Sequence, residues 1–428
     1  MNRFTSLLNK KIYDVTIVGS GIVGIATARE ILKRNPTLKL LILEKEDSIA
    51  RHQSSHNSGV IHCGVYYKPG STKARLCVKG SKMMYDYCKE NDIKHENCGK
   101  IIVAVKKSEF DSLEALYKRG IENGVPNIEM VDRDRLLNLE PSITGGLKAI
   151  YTPTTGIVNY LDVAKSMAKE IQDKYQAEVQ LGFEASIFDY DTKDKLMYIG
   201  DKNNERSILT RHVITCAGMY SDRVAHNAFG QKEPSIVPFR GSFLQFKPEY
   251  KHLIKGNVYP IPNPSFPFLG VHFTKKIDGN VWLGPNAVLA FSREGYSYKD
   301  FRAKDFQEIL TNPGLFALSL KHWKYGVNEL LRDIYPSNFI ELLQPYMPDI
   351  SMDMLEVTDG ASGVRSQAIS PNGDLIEDFI FDTPKDKPIL HVRNSPSPAA
   401  TSSLAIAEEI ANMAQNQFKE LNNTKKYY

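Results

Sequence analysis

A glycine motif between an apolar run and a helical pattern constrains this chain more than any other feature of its sequence. Residues 13–19 read YDVTIVG, a β-branched run that predicts a strand and leads into Gly19-Ser20-Gly21-Ile22-Val23-Gly24. A helical pattern follows over 22–33, and a second apolar run over 38–43 ends at Glu44 and Lys45. This order predicts a βαβ unit with two parallel strands, and hence an α/β domain.

Each glycine of this GxGxxG pattern has a mechanical reason. Gly19 permits a tight turn, Gly21 lets the backbone approach a pyrophosphate, and Gly24 allows the helix to pack closely on the strand. Glu44 lies 20 residues after Gly24, where a carboxylate accepts hydrogen bonds from a ribose diol and repels an added phosphate. The pattern therefore predicts a dinucleotide site, with NAD and FAD both still open.

The composition excludes several other classes of protein. With 428 residues, 42% of them hydrophobic and 24% charged, the chain is long enough for two globular domains. A net charge of +4 is too balanced for a nucleic-acid partner, although it is compatible with a small anionic substrate. The five cysteines form no CxxC pair, so we expect neither a metal site nor disulfides. No apolar run approaches the length of a membrane-spanning helix.

The segment after Glu44 decides between the two cofactors. Residues 51–80 are rich in histidine, serine and glycine and predict a loop lining a site, for which an NAD dehydrogenase has no evident need. This region resembles the FAD-dependent family that includes D-amino-acid oxidase, glycine oxidase and glycerol-3-phosphate dehydrogenase. Within that family the similarity is to the L-2-hydroxyglutarate dehydrogenases, and its carrying segments are HNSGVIHCGVYYKPGS, NCGKIIVAV, TCAGMYSDR, VPFRGSFLQFKPE, YPIPNPSFPFLGVHFT, GPNAVLAFSREGY, SGVRSQAISPNG and VRNSPSPAATSS.

The resemblance implies a Rossmann-like FAD-binding domain with a second substrate domain built on an antiparallel or mixed sheet. Short β-rich runs with frequent aromatics, prolines and glycines over 236–300 favour such a sheet. We expect 12–90, 150–235 and 360–428 to form the FAD-binding domain, and 91–149 and 236–359 to form the substrate domain. The C-terminal helix would begin near Thr401 and aim its N-terminus at the flavin. By resemblance the FAD-binding residues are Gly19, Ser20, Gly21, Ile22, Val23, Gly24, Glu44, Lys45, His52, Ser55, Asn57, Ser58, Gly59, Ala185, Ala217, Gly218, Pro398, Ala399, Ala400, Thr401 and Ser402.

The implied reaction is oxidation of L-2-hydroxyglutarate to 2-oxoglutarate by hydride transfer from C2 to flavin N5. Two carboxylates need cationic partners, and we predict Arg240 and Arg365 for this role. A base must accept the hydroxyl proton, and His56, His62 and His272 all have suitable chemistry, so the choice among them stays open. His391 is expected to serve packing or hydrogen bonding near the last strand.

Other functions are compatible with parts of the sequence. The wider family resemblance also permits oxidation of another 2-hydroxy acid, an amino acid or glycerol 3-phosphate, and a silent flavin-binding scaffold or RNA-modifying accessory protein belongs to a different class. The electron acceptor can be a quinone, an electron-transfer flavoprotein or oxygen, and peripheral membrane association stays open. The start MNRFTSLLNKKIY is basic and free of acids, which predicts mitochondrial delivery in a eukaryote; otherwise we expect a cytoplasmic or peripheral inner-membrane location.

Overall fold

The computed structural model describes residues 11–262, 270–297, 299–335 and 337–418, without the side chains of 358–360. The basic N-terminal segment 1–10 and part of the segment YPIPNPSFPFLGVHFT lie outside the described residues. Within the described residues the strands, in chain order, are β1 (Ile12–Val18), β2 (Leu40–Leu43), β3 (Val60–Ile61), β4 (His95–Glu96), β5 (Lys100–Ala104), β6 (Glu129–Val131), β7 (Lys148–Thr152), β8 (Gly156–Val158), β9 (Glu178–Gln180), β10 (Ala185–Asp191), β11 (Leu196–Asp201), β12 (Ser207–Thr215), β13 (Ser235–Phe246), β14 (Asn257–Pro260), β15 (His272–Lys275), β16 (Val281–Gly284), β17 (Val288–Leu289), β18 (Leu355–Ile369), β19 (Leu375–Ile376), β20 (Ile380–Asp382) and β21 (Ile389–Asn394). The α-helices are α1 (Ile22–Arg34), α2 (Thr72–Glu90), α3 (Phe110–Glu122), α4 (Arg133–Leu139), α5 (Tyr160–Tyr175), α6 (Ser221–Asn227), α7 (Ala303–Leu310), α8 (Pro313–Ile334), α9 (Ser337–Leu343) and α10 (Ala399–Gln417).

The first sheet contains the predicted βαβ unit. Its order is β10-β11-β12-β1-β2-β9, with β21 beside β12 and β20 beside β21. The strand β1 pairs in parallel with both β2 and β12, and α1 connects β1 to β2. The carboxyl ends of β1, β2 and β12 therefore meet at one edge, where the glycine turn lies. This confirms the predicted strand, turn, helix and strand.

Four helices cover one face of this sheet. Apolar side chains of α1, α2, α5 and α10 pack against Val15 and Ile17 of β1 in one buried cluster. The opposite face packs Val18 and Leu43 against Phe183 and the antiparallel strands β10 to β12 in a second cluster. The glycine turn is thus held between two separate cores, which fixes its position.

The second sheet is predominantly antiparallel. Its order is β19-β18-β13-β16-β15-β14-β5-β7-β6, with β17 also paired to β13 and with β5 and β14 running in parallel. Side chains alternate between its two faces, so Ile101 and Val258 enter one core while Ile102 and Tyr259 enter another that also contains Cys63. The predicted two-part α/β fold with a mixed second sheet is confirmed.

Three details differ from the sequence interpretation. The predicted loop over 51–80 ends early, because Ser71 caps α2 by accepting the backbone N–H of Ala74 at 3.1 Å and the helix begins at Thr72. The β-rich run 178–187 predicts one strand from the sequence but forms two, since β9 extends the parallel edge and β10 starts an antiparallel one. The strand β18 crosses the domain boundary expected at residue 360, because it stays paired with β13 up to Ile369 through a register shift.

Two further features complete the description. A small sheet of order β3-β8-β4 joins the loop after β2 to the segments that flank β5 and β7. Among the described residues, no helix is both long and apolar enough to cross a membrane.

Candidate active site

The three glycines of the GxGxxG turn differ in the space that the protein leaves for a side chain. A Cβ at Gly19 would lie 2.4 Å from the carbonyl oxygen of Cys216, and Gly19 has a φ of 107°. A Cβ at Gly24 would lie 2.1 Å from the carbonyl oxygen of Gly19. At Gly21 the nearest atom is Ser54 Oγ at 3.4 Å, so the protein itself leaves this position accessible. Gly19 and Gly24 are therefore required by the fold, whereas Gly21 leaves space for a ligand.

Glu44 ends β2 directly beside the glycine turn. Its Oε2 accepts the backbone N–H of Ser20 at 2.9 Å and the Ser20 hydroxyl at 2.7 Å, and its Oε1 accepts the backbone N–H of Glu46 at 3.0 Å. The carboxylate is buried, and these donors hold it in one orientation. Because each carboxylate oxygen accepts more than one hydrogen bond, Glu44 retains acceptor capacity for a ribose.

The loop 52–59 lies over the N-terminus of α1. Ser54 Oγ accepts the backbone N–H of Ile22 at 2.9 Å, so a hydroxyl sits on the first helical amide. Within the loop, Ser55 donates to the carbonyl oxygen of Arg51 at 2.9 Å and Asn57 accepts the backbone N–H of Gly59 at 2.9 Å. Sequence reasoning named the loop but missed Ser54, although a serine between the glycine turn and the predicted flavin loop was a usable signal.

Lys45 and His52 belong to an ionic cluster beside this loop. Lys45 Nζ bonds carboxylate oxygens of Glu46 and Glu294, and it lies 3.2 Å from His52 Nε2. Glu46, His52 and Glu294 offer three ligand atoms within 4.8 Å, a spacing that could suit a metal ion. The Lys45 ammonium pairs with both carboxylates and Arg302 pairs with Glu294, so the cluster already has cations and fastens the start of the loop to the second sheet domain.

The predicted adenine-side residues flank the turn on its other side. The backbone N–H of Cys216 donates to the carbonyl oxygen of Val18 at 2.7 Å, which sets Ala217 and Gly218 next to Gly19. The backbone N–H of Phe183 donates to the carbonyl oxygen of Glu44 at 2.7 Å, and Ala185 begins β10 two residues later. The structure therefore brings these segments to the carboxyl edge of the first sheet.

The C-terminal helix α10 begins at Ala399, close to the predicted start. Thr401 Oγ1 accepts the backbone N–H of His62 at 3.1 Å and bonds the Tyr160 hydroxyl at 2.8 Å, which ties the helix to the loop. Ser402 Oγ is buried and has no hydrogen-bond partner within the described ranges. A buried hydroxyl without a partner at a helix N-terminus suits a bound acceptor.

A second group of buried polar side chains, around His62 and His272, lies between this loop and the second sheet, and we call it the histidine pocket. Burial lowers the pKa of His62 to about 3, with added effects of the Lys100 and His272 charges. Burial likewise lowers the pKa of His272 to about 3, and Arg365 and Lys100 contribute. Both histidines are therefore neutral at physiological pH. His272 Nδ1 lies 2.8 Å from the carbonyl oxygen of Gly270, which fixes the proton on Nδ1 and leaves Nε2 as an acceptor.

Two aromatic rings and a lysine complete this pocket, and sequence reasoning missed all three. The Tyr259 ring lies 3.9 Å from the ring of His272. Lys100 Nζ lies 4.7 Å from the Tyr66 ring and 5.2 Å from the Tyr259 ring. The signal was present, because a lysine that opens the apolar run KIIVA is unusual for a buried strand.

The two predicted arginines have different surroundings. Arg365 in β18 joins the histidine pocket, where burial lowers the pKa of its guanidinium against opposing effects of Tyr325, Glu329 and Tyr259. Arg240 in β13 is buried and donates to Asp333 Oδ2 at 2.5 Å. The structure brings Arg365 close to His272, and Arg240 pairs with a carboxylate on α8.

His56 and His391 each have hydrogen-bond partners of their own. His56 Nδ1 lies 3.2 Å from the carbonyl oxygen of His52, and its ring packs 4.2 Å from the Tyr296 ring. His391 is fully buried, with Nδ1 2.8 Å from Thr215 Oγ1 and Nε2 3.0 Å from the carbonyl oxygen of Ala228. The expected structural role of His391 is confirmed.

The chain matches the family model described as FAD dependent oxidoreductase over residues 14–413. It belongs to the FAD-dependent oxidoreductase family. The residues at the carboxyl edge of the first sheet fit this cofactor, since Gly21 leaves room for a pyrophosphate, Glu44 presents a buried carboxylate and Ser402 presents a buried hydroxyl. The predicted cofactor and enzyme class are thus confirmed for this family member.

Two relatives have sequences similar to this FAD-dependent oxidoreductase over nearly its whole length. A protein of Dictyostelium discoideum, 65% identical over 97% of this chain and 95% of its own length, is called "L-2-hydroxyglutarate dehydrogenase, mitochondrial". A Homo sapiens protein of the same name is 45% identical over 95% of this chain and 89% of its own length.

Among solved structures, L-alpha-glycerophosphate oxidase from Mycoplasma pneumoniae with FAD bound is 22% identical, with a TM-score of 0.76 and 95% of each chain covered. Glycine oxidase from Geobacillus kaustophilus is 17% identical, with a TM-score of 0.69 and 95% of each chain covered. These two structures share the fold.

Proposed function

We propose that this protein oxidises L-2-hydroxyglutarate to 2-oxoglutarate. The observation that carries the proposal is the pocket in which neutral His62 and His272 lie beside the cationic groups of Arg365 and Lys100, next to the dinucleotide edge. The relatives described above, 65% and 45% identical over nearly the whole chain, carry the name of this activity. A dicarboxylate substrate suits a site that presents two cationic side chains, Arg365 and Lys100.

In this proposal His272 is the base. Its Nδ1 proton is held by the carbonyl oxygen of Gly270, so Nε2 takes the proton of the C2 hydroxyl as the C2 carbonyl forms. When bound, FAD supplies the acceptor for the hydride that leaves C2. Arg365 binds the C1 carboxylate and orients C2. The buried surroundings of the two histidines exclude water from the reacting carbon.

A visible spectrum tests this reaction directly. Anaerobic addition of L-2-hydroxyglutarate to the purified flavoprotein should bleach the flavin band, and 2-oxoglutarate should appear in equal amount. D-2-hydroxyglutarate, glycine and glycerol 3-phosphate serve as comparison substrates. Bleaching by glycine or glycerol 3-phosphate, with none by L-2-hydroxyglutarate, would establish one of the alternative family activities instead. A flavin that no substrate bleaches would favour the silent scaffold.

The final electron acceptor and the location are separate parts of the proposal. Reduced flavin must pass its electrons to a quinone, an electron-transfer flavoprotein or oxygen, and reoxidation rates with each acceptor distinguish them. We also propose mitochondrial delivery in a eukaryotic host, supported by the basic start of the sequence and by the names of the relatives. A full-length C-terminal fluorescent fusion that stays cytosolic, with or without residues 1–11, would contradict the delivery.

The outer face of α8 supports peripheral membrane association. Apolar side chains with 43–68% exposure recur at helical spacing along it, at Phe316, Leu320, Trp323, Val327, Leu331 and Ile334. Lys324 lies on the same helix, while the acidic Glu329 and Asp333 face the protein, where they accept from Ala287 N and Arg240. We propose that this face binds anionic lipid. Sedimentation with anionic vesicles should decrease for Leu320→Glu. It should stay unchanged for Ile121→Glu, because Ile121 is an exposed apolar residue elsewhere on the protein. If both variants sediment as the wild type does, α8 is not the lipid-binding surface.

A further inference from the structure

The Lys100 ammonium in the histidine pocket has no carboxylate partner among the described residues. Lys100 begins β5 with 1% exposure, and its Nζ has no hydrogen-bond partner in the part of the chain that the structure describes. No carboxylate of a described residue forms an ion pair with it. Its neighbours are the faces of the Tyr66 and Tyr259 rings, 4.7 and 5.2 Å from Nζ.

The two aromatic faces do not satisfy the hydrogen-bond donors of the Lys100 ammonium. They attract a cation, but an ammonium has three N–H donors, and each needs an acceptor when water is removed. The nearby histidines are neutral and bring no negative charge, since burial lowers the pKa of both. Burial also lowers the pKa of Lys100, because a buried ammonium without an acceptor is unfavourable. A bound oxyanion would favour the charged form and accept its N–H donors.

Other unpartnered polar atoms lie beside Lys100. The Tyr66 hydroxyl is buried and has no hydrogen-bond partner among the residues described, and the same holds for His62 Nδ1. The Tyr66 ring stacks on the Tyr259 ring with centroids 6.5 Å apart, so both rings and the ammonium form one group. A carboxylate has two oxygens, enough to accept from both the Lys100 ammonium and the Tyr66 hydroxyl.

The sheet places this group on the same side as the proposed base. The register pairs Lys100 with Asn257 and Ile102 with Tyr259, and alternation directs Lys100, Ile102 and Tyr259 to one face. His272 packs on Tyr259 from the next strand. Lys100 and Arg365 both act electrostatically on His272, so two cations flank the base.

We propose that Lys100, assisted by the Tyr66 hydroxyl, binds the carboxylate of the substrate that is distal to the reacting carbon. This inference rests on the proposed function, because it divides the two carboxylates of one substrate between Arg365 and Lys100. It also reassigns the role predicted for Arg240, whose charge Asp333 compensates at 2.5 Å. Selection of a dicarboxylate over a monocarboxylate then depends on β5.

The test compares two substrates that differ only in the distal group. L-2-hydroxyglutarate and L-2-hydroxypentanoate share C1 to C4, but the second ends in a methyl group. Lys100→Met should lower the ratio of their kcat/KM values by about 10²-fold with full flavin content, the scale of losing a charge-assisted contact. Lys148→Met, a half-buried lysine elsewhere on the same sheet, is the matched control and should keep the ratio.

A binding measurement separates this inference from the proposed function. Glutarate, which has no hydroxyl to oxidise, should perturb the flavin spectrum of the wild-type holoenzyme, and its Kd should rise about 10²-fold in Lys100→Met. If L-2-hydroxyglutarate fails to bleach the wild type while glutarate binding depends on Lys100, the function is wrong and the anion site stands. An unchanged ratio with unchanged glutarate binding would overturn the site, as would equal losses for both substrates.

A milder variant covers a folding failure of Lys100→Met. Tyr66→Phe removes only the hydroxyl and keeps both the ring and the lysine. The ratio of the two kcat/KM values should fall by about 5-fold, the effect of one lost hydrogen bond. If Lys100→Met loses flavin and Tyr66→Phe keeps the wild-type ratio and glutarate affinity, the proposal is rejected.

Discussion

Ser20 donates both its backbone N–H and its hydroxyl to one oxygen of Glu44, at 2.9 and 2.7 Å. The bonds join the glycine turn to the end of the second strand, 24 residues later in the chain. They explain in physical terms why the acidic residue must stand at this distance from the motif, because only there do the carboxyl ends of two adjacent parallel strands meet. The dinucleotide edge is therefore preformed by the protein.

Gly21 and Gly24 should respond differently to substitution. Gly21→Val should leave the fold intact but reduce flavin content at least about tenfold, because its side chain occupies the space for a pyrophosphate. Gly24→Val should destabilise the fold itself, since a Cβ there would lie 2.1 Å from the Gly19 carbonyl oxygen. The flavin-to-protein absorbance ratio and Tm of each variant give the answer. A folded Gly21→Val protein with wild-type flavin content would refute the site.

Ser54 should contribute to cofactor binding although sequence reasoning did not name it. Ser54→Ala removes the hydroxyl that accepts the backbone N–H of Ile22 at 2.9 Å. We expect the Kd for FAD to rise about 5- to 10-fold, as for one hydrogen bond that orders the loop. Titration of flavin-stripped protein with FAD measures this effect. Ser48→Ala is the control, because the exposed Ser48 hydroxyl donates to Asp47, and an equal effect of both changes would show that the loss is not specific to Ser54.

The buried histidines should make stability depend on pH. The folded pKa of His272, about 3, lies below the ordinary value of 6.5, so the unfolded chain binds more protons between these pH values. Stability is therefore unaffected above pH 6.5 and is lost as the pH falls toward 3. At pH 5 the loss from one such histidine is about 2 kcal/mol.

His272→Gln tests that dependence, because glutamine does not titrate. Between pH 7 and pH 5, the free energy of unfolding should fall by about 2 kcal/mol less in the variant than in the wild type. Parallel curves for wild type and His272→Gln would show that the pKa of His272 is the same in the folded and unfolded states, and would contradict its lowered folded pKa.

Sequence reasoning was accurate where a local pattern has one structural solution. The β-branched run, the glycines and Glu44 together permit only a parallel strand pair with a tight turn, and the structure has it. The pattern was less informative where long-range packing decides. The apolar run after Lys100 was a signal for a buried lysine, but its position against Tyr259 depends on the long-range pairing of β5 with β14. Arg240 looked like a substrate ligand because Asp333 lies 93 positions away in the sequence.

Substitution should distinguish the roles of Arg365 and Arg240, the two arginines predicted to bind carboxylates. Arg365→Met should keep FAD and lower kcat/KM for L-2-hydroxyglutarate by about 10²-fold, because a charge-assisted contact to the substrate is lost. If Arg365 binds the C1 carboxylate, the loss should be equal for L-lactate, which shares only that carboxylate with L-2-hydroxyglutarate.

Arg240→Met should instead destabilise the protein, because it leaves the buried Asp333 carboxylate without its cation, at a cost of about 3–5 kcal/mol. Its preference for L-2-hydroxyglutarate over L-lactate should match that of the wild type in whatever fraction stays folded. Thermal unfolding and steady-state kinetics on both substrates, normalised to flavin content, distinguish the two variants. A stable Arg240→Met enzyme that loses the preference would return Arg240 to the substrate, and unchanged rate constants in Arg365→Met would remove the proposed C1 contact.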